Sequence, residues 1–196
     1  MKVLVRRRPL KRILQVIQCL FLAAAIFLLG YYGFVAVDAW AFEQRENLAL
    51  ERLLKNPATP GPSVMESGGL VGRVEVKRLG LSVLVVEGIS SKTLRRAAGH
   101  IPGTALPGEV GNVGISAHRD TFFRPLRNIK PNDIITLTTL QGEYRYRVVS
   151  TKIVGPEDVA VLASSGNQIL TLVTCYPFYF VGSAPDRFIV RAERIT

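Results

Sequence analysis

Three residues of this 196-residue chain have the types and positions for covalent chemistry: Cys175, His118 and Arg187. Cys175 ends the run "QILTLVTC", whose β-branched, apolar texture is that of a buried strand. A thiolate is an effective nucleophile, but a reactive thiol needs a partner for its proton. The chain holds two histidines for that role. His118 follows the strand-like "NVGISA", so it stands at a strand exit, where a side chain projects into a cleft. His100, inside "AAGHIPGT", reads as a local hydrogen-bonding or capping residue. Chain geometry adds the third group. An 11-residue loop, Tyr176 to Asp186, joins the strand ending at Cys175 to the one beginning at Arg187. If the two strands pair as a hairpin, Arg187 faces Cys175 at its mouth. A guanidinium stays cationic at any working pH and can donate to a developing oxyanion. Each residue also has an ordinary role: Cys175 as buried packing or an interchain disulfide, Arg187 as a solvated strand position. Arg191 shares the face of Arg187, about 13 Å further along the strand at roughly 3.3 Å per residue.

The meaning of an odd thiol depends on its compartment. Residues 13–37 run 25 positions without a charge, and Cys19 lies among them, out of reach of Cys175. At 1.5 Å per residue that run is long enough to cross a hydrocarbon core of about 30 Å. Lys2, Arg6, Arg7, Arg8, Lys11 and Arg12 precede it without an acid, so the positive-inside rule puts the N-terminus in the cytoplasm. Ala39-Trp40-Ala41 has small residues suited to signal-peptide cleavage, but the apolar run exceeds the usual core of about 7 to 15 residues, and an anchor is expected. The net charge of +10 does not call for nucleic acid. Six cations serve topology, leaving nineteen basic against fifteen acidic residues, with no basic-aromatic motif among them.

Residues 1–12 read as a cytoplasmic basic tail and 13–37 as a transmembrane helix. Residues 38–69 combine a helical "AWAFEQRENLALERLLKN" with a Pro/Gly-rich stalk, "PATPGPSVMESGG". Residues 70–196 carry seven candidate strands: "LVGRVEVKRL", "LSVLVVEG", "NVGISA", "NDIITLTTL", "EYRYRVVSTKIV", "QILTLVTC" and "RFIVRAERI". "SSKTLRRAAGHI" reads as a short helix, and "DTFFRPLRNI" as the start of another capped by Asp120 or Thr121. Mostly antiparallel strands with few helices point to an all-β domain, a closed barrel or a sandwich.

"TLVTC" resembles the Thr-Leu-x-Thr-Cys signature of the sortases, membrane-anchored cysteine transpeptidases of bacterial surfaces. "GHIPGTALPGEVGNVGISAHRDTFFRPL" resembles the segment leading to their catalytic His, here His118, and "RFIVRA" the strand supplying their catalytic Arg, here Arg187. The wording of "AHRDTFFRPL" and "TCYPFYFVGSAPDRF" is most similar to class D, with class E next. No Asp-Pro-aromatic lid motif precedes Leu70, which argues against a pilus-building class C enzyme. The resemblance implies a barrel of about eight strands whose Cys175 attacks a Leu-Pro-x-Thr-Gly-like sorting signal on a secreted protein. The acyl group would then pass to an amine of peptidoglycan or its precursor. Thr174 would support the oxyanion site, while Val173, Val181 and Ile189 would line a groove for the signal. No cofactor or metal is implied. Two other classes stay open at this point: a membrane-anchored cysteine hydrolase that uses water, and a non-enzymatic β-domain that binds an envelope partner.

The charge asymmetry yields a first expectation. A C-terminal reporter that is active only in the cytoplasm should stay silent when fused to the full chain; a signal from it would reverse the topology.

Overall fold

The computed structural model describes residues 8–55, 69–180 and 182–195. The chain divides after Ala41 into two compact units. Helix α1, Arg8–Lys55, is continuous through the apolar run and the polar segment that follows it. Its stretch Lys11–Asp38 is long and apolar enough to cross a membrane, by length and composition. Large apolar side chains are exposed along it, Phe27 and Leu29 by at least 70%. The stalk expected after it, 57–69, lies outside the described residues except for Gly69.

Eight strands follow: β1 Leu70–Val76, β2 Leu81–Glu87, β3 Ala98–His100, β4 Gly111–Ser116, β5 Ile134–Thr139, β6 Gly142–Val154, β7 Gln168–Tyr176 and β8 Asp186–Ile195. They close into a barrel in the order β1-β2-β3-β4-β7-β8-β6-β5, and β5 pairs with β1 to seal it. Alternation along each strand sends one set of side chains inward. Val113 and Ile115 of β4, Leu170 and Leu172 of β7, and Val190 and Ala192 of β8 belong to one core, each at most 1% exposed. Closure leaves no free edge to template pairing with another chain.

Two expectations need correcting. "SSKTLRRAAGHI" is helical only over α2, Ser91–Leu94, where Ser90 Oγ accepts the Thr93 N–H at 3.1 Å. The remainder turns into β3, a strand missing from the sequence reading. Its small residues suggest helix, but their purpose is close approach: a Cβ on Gly99 would stand 2.3 Å from the Gly88 carbonyl oxygen. Near "DTFFRPLRNI", neither Asp120 nor Thr121 caps a helix; the chain makes a 3₁₀ turn at Arg124–Asn128, preceded by Phe123. Phe123, Leu126 and Ile129 are buried every third residue, the period of 3₁₀ and not of α. Six of the eight strand pairs are antiparallel, as expected of this barrel; β2 with β3 and β4 with β7 are the parallel ones.

Outside the barrel, Arg78 grips Asp133 through both carboxylate oxygens and also donates to the Asn128 carbonyl at 2.7 Å. The guanidinium and the Lys130 N–H hold the Asp133 carboxyl below its usual range against the opposing effect of burial. A depressed carboxyl stabilises the fold above its unfolded-state value, near 4, and that contribution fades as pH falls through the folded value. Asp133→Asn should therefore lower the melting temperature at neutral pH, and the gap to wild type should close as pH falls below about 4. A gap that stays constant across that window would rule the ion pair out.

Candidate functional site

Two registers decide what meets at one rim of the barrel. In the antiparallel β7–β8 pair, Cys175 lies directly opposite Arg187, Val173 opposite Ile189, and Thr171 opposite Arg191. In the parallel β4–β7 pair, Ser116 lies beside Val173, and the Ala117 N–H donates to the Val173 carbonyl at 3.2 Å. His118 stands two residues beyond Ser116, as Cys175 stands two beyond Val173. Parity does the rest. Leu170, Leu172 and Val190 point inward, so Cys175, Arg187 and, by continuation of β4, His118 belong to the outer face. The three residues singled out from sequence thus reach one rim and one face.

Each is placed in a way that suits exchange with a ligand. Cys175 is half-buried and His118 exposed. Arg187 is half-buried, and its Nη1 donates to the carbonyls of Asp186 at 2.9 Å and Ala184 at 3.3 Å. Among the described residues, its remaining nitrogens are free to donate elsewhere. Thr174 points inward, 2% exposed, and its Oγ1 donates to the Ala117 carbonyl at 2.7 Å. That bond ties the residue before His118 to the residue before Cys175. Val173 is half-buried on the outer face, and Val181 lies outside the described residues. His100 is 2% exposed, with Nδ1 2.7 Å from Glu87 Oε2 and Nε2 3.0 Å from the Ala105 carbonyl, a fastener of the β3–β4 connection.

On the same outer face, a cavity of about 260 Å³ opens between β6, β7, β8 and the β6–β7 connection. Ile189 and Thr171 line its floor; Lys152, Asp158 and Arg191 supply charge. The roof is held by Asn112, a residue the sequence reading passed over. Its Nδ2 donates to the carbonyls of Val161 at 3.0 Å and Ala163 at 3.3 Å, and its Oδ1 accepts from Thr171 Oγ1 at 2.7 Å. Both side chains are at most 1% exposed. A lone Asn early in a strand pattern was the available signal, since a buried amide must find partners. Nearby, Gly114 leaves room for the loops that cross β4: a Cβ there would meet Thr104, Leu162 and Ile101 at 3.0 to 3.2 Å.

The family model described as the sortase domain matches residues 74–195, the whole barrel but for its first residues. The chain belongs to the sortase family. Sortase D of Bacillus subtilis is 31% identical over 199 residues, which span 93% of this chain and 99% of that protein. Sortase A of Listeria monocytogenes is 29% identical over 119 residues, 59% of this chain and 53% of that one. Among solved structures, a Clostridium perfringens sortase D5 transpeptidase is similar with a TM-score of 0.68 at 25% identity, covering 80% of this chain and 99% of that one. A lid mutant of Corynebacterium diphtheriae sortase A is similar at TM-score 0.62 and 27% identity, over 69% and 74% of the two chains. The class D likeness read from the motifs agrees with the Bacillus relative. As a sortase, the chain is a cysteine transpeptidase, a class of enzyme that takes sorting-signal substrates and amine acceptors.

The Asn112 clamp gives a measurable consequence. Asn112→Ala leaves the buried Thr171 hydroxyl without its acceptor and should cost on the order of 1 to 3 kcal/mol. Adding Thr171→Val removes the stranded hydroxyl, so the double variant should lose less than the two single losses combined. Strict additivity in thermal unfolding would mean the two side chains do not act as a pair.

Proposed function

We propose that this sortase cleaves a Leu-Pro-x-Thr-Gly-like sorting signal on secreted proteins between Thr and Gly, and joins the new carboxyl end to an amine of the cell envelope. The observation that carries this reading is the double register that brings Cys175, His118 and Arg187 to one rim on one face, with Cys175 directly opposite Arg187. The Cys175 thiolate attacks the Thr carbonyl carbon, and Arg187 donates to the oxygen as it gains charge. The C–N bond then breaks, and the His118 imidazolium gives its proton to the leaving glycine amine. A thioester to Cys175 remains. An incoming amine surrenders a proton to His118 and attacks that thioester, releasing the thiolate and forming a new amide.

Supporting roles follow from position. Thr174 holds the backbone before His118 through Ala117, and Val173 offers apolar surface beside the thiol. The cavity floored by Ile189 extends the same face along the strands and suits the apolar part of an extended signal. Arg191, on the same strand face as Arg187, borders this cavity and contributes to binding. Helix α1 anchors the enzyme in the lipid of the cytoplasmic membrane with its N-terminus inside, so the barrel meets substrates as they emerge.

The test is single-turnover acylation with a library of signal peptides, followed by addition of candidate amines. Cys175→Ala should form no thioester, and His118→Ala should lose most turnover with unchanged thermal unfolding. Arg187→Lys should lose roughly 10²- to 10³-fold in acylation, because a point charge does not replace a planar donor. Arg191→Ala should raise KM while keeping kcat. Product masses that contain water instead of the added amine would identify a hydrolase, and near-normal acylation in Arg187→Lys would remove Arg187 from the mechanism.

A further inference from the structure

The residue after His118 is a buried cation. Arg119 is 6% exposed, and a guanidinium taken out of water is unfavourable unless its donors are engaged. Nη1 donates to the Pro177 carbonyl at 3.0 Å; Nη2 donates to those of Phe180 at 2.6 Å and Gly182 at 3.1 Å. Its Cζ also lies 5.8 Å from the centre of the Phe180 ring. The remaining contact, Nε to Asp120 Oδ1, is long at 3.4 Å, and that carboxylate is 69% exposed, so surface screening leaves it little weight. The cation is therefore held chiefly by three backbone carbonyls, and all three belong to the β7–β8 loop.

That loop begins next to Cys175 and ends next to Arg187: Pro177 is two residues past the thiol, and Gly182 five before the guanidinium. At its other end, Arg119 is joined by one peptide bond to His118. We infer that Arg119 is a positioning residue that sets the three members of the sortase centre relative to one another, a role that rests on the reading of Cys175, His118 and Arg187 given above. It touches no reacting atom. Its planar fork spans carbonyls at three points of the loop and fixes the loop's path against the segment leaving β4. The strand registers hold Cys175 against Arg187, but His118 lies beyond the last ladder bond of β4, and the Arg119 fork is what secures its segment to the far side of the loop. A lysine would keep the charge and lose this geometry, because one ammonium on a flexible stem cannot replace a two-pronged donor.

The experiment uses the full-length protein in detergent, comparing wild type with Arg119→Lys, Arg119→Gln and His118→Ala. Iodoacetamide labelling of Cys175 is followed between about pH 5 and 9 by peptide mass spectrometry, which separates it from Cys19, and acylation is measured per labelled Cys175 with its KM. Arg119→Lys should remain folded and alkylate with a pH profile displaced from wild type toward that of His118→Ala. Its acylation per active thiol should fall about 10²-fold with KM within a few-fold, the signature of misplaced but present groups. If Arg119→Lys melts below the assay temperature, Arg119→Gln carries the same comparison. A wild-type profile and rate in the variant, or activity lost only in proportion to folded protein, would overturn the role. A wild type whose profile matches His118→Ala would sink the Cys175–His118 pairing and Arg119's role with it. A His118-dependent profile without acylation refutes only the choice of signal peptide, and Arg119 is then judged on the profile.

Discussion

The parallel pairing of β4 with β7 is the constraint on which the site depends. Parallel neighbours end at the same rim, so the residues that follow β4 and those that end β7 emerge together. The antiparallel return of β8 then starts where β7 stops, bringing the first residues of β8 to that rim as well. An antiparallel β4–β7 pair would send His118 to the far end of the barrel, a strand length away. The same pairing demands a long crossover, and residues 117–167 supply it by way of β5 and β6, which also complete the barrel wall. Closure and site assembly are consequences of one connection.

Parity is the second constraint. A slip of one residue in the β7–β8 register would turn Cys175 into the core and bring Thr174 to the surface. The core resists that slip, because Leu170 and Leu172 would have to leave it together. Apolar packing on the inner face thus maintains chemical order on the outer one. Thr174 contributes from within: its hydroxyl, buried beside that core, is satisfied by the Ala117 carbonyl and so links the two parallel strands where their ladder ends.

Much of this was legible in the sequence, and the reasons differ by residue. Cys175 and Arg187 were readable as a facing pair because a hairpin needs only local reasoning, namely strand texture, loop length and alternation. His118 was readable as a strand-exit residue, but its closeness to Cys175 was not, since parallel adjacency spans some fifty residues and leaves no local trace. The resemblance of the motifs bridged that gap. β3 was hidden because three small residues in a helix-friendly context carry no period of their own. Asn112 and Arg119 were hidden for another reason. A polar side chain is presumed exposed until its burial is seen, and both are engaged with carbonyls distant in the chain. Apart from Val181, which lies outside the described residues, the groove residues named from sequence divide between Ile189, which floors the cavity, and Val173, which lies nearer the thiol.

The two loops flanking the centre share one device. Asn112 holds the β6–β7 connection through the carbonyls of Val161 and Ala163, and Arg119 holds the β7–β8 loop through those of Pro177, Phe180 and Gly182. Every residue type carries a carbonyl, so these clasps grip the loops without reading their side chains. The walls of the groove can then diverge in sequence, or be exchanged for those of a relative, while the path of the chain is preserved. Retargeting such an enzyme becomes a matter of rewriting letters between fixed points, with Asn112 and Arg119 as the two positions to leave untouched.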